Sequence, residues 1–269
     1  MTPRTVVLTF DNLGEAAELE QGAWPAGRPR GEHPSVVTAL PRLLDLLDEL
    51  GLRGTFFVEA VNTIDYPDAV RSIAGRGHEV GFHAWRHEPW GELGADRERE
   101  LVERGVAAFG ELGVAVRGFR PPGGALTARR GDELRRSGFD WCSPLGRRAG
   151  IDERGMAQVP FRWELVDATY LYAPFRELRR GLGLPAEPLA VERFEERFWH
   201  EIDTEPDPTA ATIVLHPFLS ADPPVGEAHA RILRRLRRLA DDGIARIVTG
   251  AELADELRAA GRPPAAVLG

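Results

Sequence analysis

Apolar residues along the chain follow two alternating rhythms. Short β-branched or aromatic runs read as strands: Val6–Phe10 (VVLTF), Gly54–Val58 (GTFFV), His78–Phe82 (HEVGF), Val116–Phe119, Phe139–Cys142, Thr212–Leu215 (TIVL) and Ala245–Val248 (ARIV). Between them the spacing turns helical. Val36, Leu40, Leu43, Leu44, Leu47 and Leu50 line one face of a helix over 36–50, and Gly51 suits the residue after its end. Further helices are expected over Pro67–Ala74, 95–112, 127–137, 226–241 and 250–260. Strand–helix alternation of this kind predicts right-handed βαβ units and a parallel sheet. Seven such strands point to a closed or nearly closed α/β barrel in a single domain spanning 1–269, with an open doubly wound sheet as the alternative.

Two stretches break the rhythm. Residues 13–35 are rich in Gly, Pro and Glu, and residues 165–210 read as an inserted helical excursion. Long irregular segments in a compact domain tend to be functional, so both are expected to cap the barrel rim. The tail GRPPAAVLG is expected to be loose. The 269 residues carry a net charge of −8, which argues against nucleic acid as a partner. The basic run 231–238 (RILRRLRR) fits the solvated face of an amphipathic helix. Cys142 is the only cysteine, so no disulfide can form within the chain. The sequence runs from its start straight into a strand with no apolar leader or membrane span, so a cytoplasmic protein is expected.

Nearly every candidate reactive group stands just after a predicted strand, on the rim where parallel barrels build their sites. In GFHAWRHEPW, His83 and His87 are four apart. On a helical turn both imidazoles would share a face and could meet one metal, although two unrelated surface histidines would look the same. His78, at the start of that strand, reads as structural. Asp11 in LTFDNLGE can take a proton from water; Asn12 offers a weak carbonyl ligand and Glu15 a stronger carboxylate one, while Asp and Asn are also common turn formers. In GFRPPGG, Arg120 can orient a carboxylate, and Gly123–Gly124 let backbone N–H groups approach a reacting oxygen. His216 ends a very apolar strand, where it can protonate a leaving amine or sit as a satisfied core histidine. Trp141 in GFDWCS can wall a pocket or belong to the core, and Asp140 can bond Arg120 or a histidine.

Taken together and in order, TFDN (9–12), HAWRH (83–87), RPPGG (120–124), DW (140–141) and LH (215–216) resemble the five motifs of the polysaccharide deacetylase (NodB-homology) superfamily. The resemblance implies a distorted (β/α)7-type barrel and a divalent metal, zinc or a similar transition metal. It implies Asp11 as base, His83 and His87 as metal ligands, Arg120 as the group orienting the base, Gly123 as oxyanion donor, His216 as general acid, and Trp141 and Leu215 as substrate contacts. The family's usual second aspartate is Asn12 here, so either Asn12 or Glu15 completes the metal set or the enzyme works without metal. GHEVGFHAWRHEPW, VLHPFLS and VPFRWELVDATYLY are similar to a cytoplasmic branch that includes allantoinase-like proteins and cyclic-imide hydrolases. The expected activity is hydrolysis of a non-peptide C–N bond in an N-acylated amino sugar or small amide. The rivals are a cyclic imide or ureide hydrolase and a non-catalytic binding relative. The expected partner is a small molecule or single sugar, with no nucleic acid; the resemblance also allows a homo-oligomer.

Overall fold

The VVLTF run lies at the heart of the sheet. A computed structural model describes residues 3–126, 133–205 and 210–261. Its first strand, β1 (Arg4–Asp11), is buried at every position after Arg4. Along one edge, Val6–Phe10 pair in parallel with β8 (Ala211–Leu215). The other edge is shared: Arg4–Val7 pair with β9 (Ala245–Val248), and Thr9–Asp11 with β2 (Thr55–Val58).

From β2 the sheet continues in parallel through β3 (Glu79–Phe82), β4 (Gly118–Phe119), β5 (Trp141–Cys142) and β7 (Ala157–Gln158), with β6 (Gly150–Ile151) antiparallel at the far edge. A parallel bridge from Val166 to Val214 brings the chain after β7 back beside β8. The result is a curled sheet with helices outside it, a distorted (β/α)7 barrel in one domain. The β6–β7 hairpin has no counterpart in the sequence reading, because two-residue strands carry no readable period.

Alternation along β1 divides the core. Val6, Leu8 and Phe10 join the large cluster under the helices, whereas Val7 joins Phe57, Trp141, Val159 and Val248 in another. Thr9 and Asp11 share Val7's face by the two-residue period of a strand, which carries Asp11 onto the inner rim.

The helix Leu40–Leu50 is preceded by a π-helical stretch, Ser35–Ala39, and stops where expected. Gly51 takes a left-handed φ of 60°, and the Leu52 N–H bonds the Leu47 carbonyl at 2.9 Å, closing a Schellman-type end. The helix Gly250–Ala259 opens with a capping box between Thr249 and Glu252. Within 165–210, the later helix Val191–Asp203 is an ordinary outer-layer element: its Phe194, Phe198 and Ile202 join the main core with Ile232 and Leu233 of the helix Pro223–Asp241. Part of the expected 127–137 helix, and the tail beyond 261, lie outside the described residues. Among the described residues no helix is long and apolar enough to cross a membrane.

Candidate active site

Asp11 ends β1, and Arg120 follows β4. Both are buried, and the Arg120 Nη1 donates to Asp11 Oδ1 at 2.7 Å. The same nitrogen donates to Thr9 Oγ at 2.9 Å, while Nε and Nη2 reach Ser143 Oγ at 3.1 and 2.8 Å. The guanidinium rests 4.2 Å above the Phe57 ring. Burial pushes the Arg120 pKa down and the Asp11 carboxylate opposes it; a guanidinium stays charged in either case. Asp11 is therefore held by a cation whose other donors are fixed elsewhere.

His83 follows β3 directly. Its Nδ1 lies 2.7 Å from the Arg120 carbonyl. A carbonyl only accepts, so Nδ1 carries the proton and Nε2 is left with a free lone pair, 3.9 Å from Asp11 Oδ2. His87 reaches the same place by a different route from the expected helical turn. Residues 83–87 form a non-helical turn in which Ala84 (φ 64°) and His87 (φ 72°) are left-handed. The Glu88 carboxylate ties that turn by accepting the Trp85 and Arg86 N–H groups at 3.0 and 2.9 Å. The two imidazole centroids end 4.9 Å apart at 75°. Burial, with the nearby Arg120 and His216 for His83, brings its pKa down to about 3; burial and then His83 do the same for His87. Both rings are neutral at ordinary pH, the state that binds metal.

Asn12 stands beside them with φ 60°, and its buried Oδ1 has no hydrogen-bond partner among the described residues. Two neutral imidazoles and one orphaned amide oxygen fit a divalent metal. No group of three His, Cys, Asp or Glu side chains among the described residues does so without the amide. Glu15 is committed elsewhere, accepting the Gly31 N–H at 2.7 Å and the Tyr66 hydroxyl at 2.5 Å. The reading of Glu15 as a substitute ligand is therefore corrected: it latches the 13–35 loop.

His216 follows β8, the strand paired with β1, and so stands next to Asp11. Its Nδ1 lies 2.5 Å from Asp167 Oδ1, and its backbone N–H donates to Asp167 Oδ2 at 2.7 Å. A second imidazole, His229 Nε2, contacts the same carboxylate at 3.1 Å. Burial alone would lower the His216 pKa, but Asp167 outweighs it and the net shift is upward. Asp167, fully buried, is held below the ordinary carboxylate range, its two histidines outweighing burial. With Nδ1 engaged, Nε2 is the nitrogen left for the cleft. The sequence reading did not find Asp167 or Ser143.

Asp11, Asn12, His83, His87, Arg120, Gly123 and His216 line one cavity of about 280 Å³. The 13–35 loop contributes Gly14, Ala17, Glu18 and His33 to its walls, and the segment after β7 contributes Trp163, Val166, Tyr172 and Phe175. A roomier groove of about 690 Å³, beside the helix Ala95–Glu111, holds none of the site groups.

The sequence profile of the family described as polysaccharide deacetylase matches residues 1–141, more than half of the chain. The chain belongs to that family. Deacetylation of an N-acetylated sugar is the hydrolysis of an amide. Peptidoglycan deacetylase of Helicobacter pylori is 23% identical over 251 residues, covering 81% of this chain and 83% of that protein. Chitin deacetylase 1 of Saccharomyces cerevisiae is 39% identical over 85 residues, and the matched part spans only 28% of the yeast protein. Among solved structures, a Mycobacterium smegmatis protein assigned to the polysaccharide deacetylases superposes with a TM-score of 0.85 at 25% identity, covering 100% of this chain and 94% of that one. Puue allantoinase shares the fold, with a TM-score of 0.71 at 17% identity over 96% of this chain and 91% of that one.

Three expected site residues of this deacetylase family member lie elsewhere. Trp141 is fully buried with Phe57 and Val248, away from the cleft. Gly118 and Gly250 make room for it: a Cβ on either would come within 2.3 and 2.1 Å of the indole. Leu215 points into the helical layer, and Val214, one residue earlier, faces the cleft instead. Asp140 bonds Arg117 at the surface, 2.9 Å away, and not Arg120 or a histidine. His78 accepts the Gly54 N–H at 3.4 Å and packs on Phe56, in keeping with a structural role.

Proposed function

We propose that this family member hydrolyses the N-acyl amide of a small molecule or single amino sugar, with a divalent metal, zinc foremost, held by His83, His87 and Asn12. The observation that carries the reading is the convergence on one small cavity of an arginine-held carboxylate, two neutral imidazoles and a third imidazole whose pKa is raised. A bound metal would polarise the amide carbonyl and make water more acidic. Asp11, fixed by Arg120, accepts the proton of the attacking water as the C–O bond forms. The backbone at Gly123 lies beside the developing oxyanion. His216, whose protonated form Asp167 favours, gives its Nε2 proton to the departing nitrogen as the C–N bond breaks, and a free amine and a carboxylate leave. Loop and aromatic walls leave space for a compact substrate more readily than for an extended polymer.

Purified protein loaded with zinc should release acetate from N-acetylglucosamine or a simple acetamide. Asp11→Asn and His216→Asn should each lower kcat by about 10²-fold or more. Unchanged turnover in Asp11→Asn would reject the reading. The flat aromatic wall gives specific support to a second reading, ring opening of a cyclic imide or ureide, and hydantoin belongs in the same assay.

A further inference from the structure

The cleft wall next to His216 is built from aromatic rings. The His216 and Phe218 rings are 5.2 Å apart. From Phe218 a series of edge-on contacts runs to Tyr172 at 5.4 Å, Phe175 at 5.3 Å, Trp163 at 5.7 Å and Phe161 at 5.5 Å. Phe161 is buried, but the other four are only half-buried while lining the cavity. Rings of a finished core are covered on all sides; these keep surface for a ligand. The 13–35 loop adds polar groups to the same lining, Glu18, Gln21 and His33.

Charge in the cavity narrows the ligand further. Arg120 is the only Lys or Arg among the described lining residues, and its charge is taken by Asp11. The His216 charge is met by Asp167. Among the described residues the one ion-pair contact of the Glu18 side chain is His33, at 3.6 Å, an imidazole that burial keeps toward its neutral form. At the ring end, away from a metal held by His83, His87 and Asn12, an anionic substituent would find no free cation among the described lining residues and one carboxylate to repel it.

We propose that the substrate is an uncharged N-acyl derivative of an amine bearing an aromatic or similarly flat ring, with the ring seated against Trp163, Tyr172 and Phe175. The side of the bond follows from His216. This inference rests on its role as the acid that serves the leaving nitrogen, and the aromatic series begins at that imidazole, so the amine half meets the rings. The acyl half then falls toward Gly123, where the backbone (φ 72°) is bordered by open space.

The test compares zinc-loaded protein on N-acetylbenzylamine, its para-carboxylate analogue, N-acetylglucosamine and chitotriose. Expected is a kcat/KM for N-acetylbenzylamine at least about tenfold above each of the others, the scale of a single aromatic pairing. Trp163→Leu and, as a second variant, Phe175→Leu should raise KM for the aromatic amide by a similar factor, and more than for the sugar. Equal or better turnover of chitotriose or of the carboxylate analogue, or unchanged KM in both folded variants, overturns the assignment. If none of the four is hydrolysed, calorimetric binding of N-acetylbenzylamine decides. Binding that weakens in both variants upholds the ring site and rejects the hydrolytic reading, whereas absence of binding rejects the ring site.

Discussion

Asp167 is the group on which the state of His216 depends, and Asp167→Asn isolates its charge while keeping its size. The carboxylate has no exposed surface and makes three contacts to histidine groups, at 2.5 Å to His216 Nδ1, 2.7 Å to the His216 N–H and 3.1 Å to His229 Nε2. Removing one partner of a buried ion pair costs about 3–5 kcal/mol. The asparagine oxygen can keep one hydrogen bond, so the lower end, about 3 kcal/mol, applies, a fall in Tm of roughly 6–12 °C for a chain of this size. The pH dependence has a definite sign. Asp167 has a lowered pKa in the fold, so its contribution is present above the unfolded value of about 3.9 and lost as pH falls. His216 has a raised pKa, so its contribution is full below the unfolded value of about 6.5 and lost as pH rises through the folded value. The stability gap between the two proteins should be widest between about pH 4 and 6.5 and narrow on both sides. Urea unfolding at a series of pH values measures the gap, and the ring-proton titration of His216 by NMR measures its cause. The titration should move to lower pH in the variant. A gap that is flat with pH, together with an unmoved His216 titration, would refute the electrostatic coupling.

Three further perturbations test other parts of the site. Arg120→Lys gives up the fork that spans Asp11, Thr9 and Ser143, so kcat/KM should fall by about 10²-fold; a change of less than about threefold would show that Asp11 is held by other means. Asn12→Asp places a carboxylate beside two neutral imidazoles and should tighten zinc at least about tenfold in competition with a chelator; equal affinity would remove position 12 from the metal set. Tyr66→Phe takes away the hydroxyl that accepts the His33 N–H at 2.8 Å and bonds Glu15, at a cost of about 1–3 kcal/mol, and should speed proteolysis within residues 16–31. Wild-type cleavage rates in that variant would mean the latch does not hold the loop.

The strands and most helices were legible because their apolar periods are strong, and the end at Gly51 because a left-handed cap favours glycine. Four of the five motif segments, those carrying Asp11, His83 and His87, Arg120 and His216, reach one cavity because each stands at a strand end, and parallel pairing brings strand ends to one rim. What stayed hidden has physical causes. Asp167 lies 49 residues from His216 in the chain, and its segment reads as a plain helix start. Ser143 is one polar residue after a two-residue strand. Trp141 and Leu215 were misplaced for a common reason: the facing of a short strand depends on a register that composition does not reveal. Glu15 stood as an alternative ligand to Asn12 because a carboxylate near a candidate site and one committed to its own loop look identical in sequence.

The strand carrying Asp11 is bonded to three neighbours, β2, β8 and β9, whereas the 13–35 loop beside the cleft is joined to the barrel mainly at its ends and by a few side-chain latches. In hydrogen exchange, amides 6–10 belong with the last to open and those of 16–31 with the first. Selectivity and reactivity thus reside in parts of unequal stability. Replacing residues 16–31, or the rings of Trp163, Tyr172 and Phe175 with Asp167 kept, can alter which amide is admitted without disturbing the apparatus that cuts it, so these are the positions to exchange in a variant built for a new substrate.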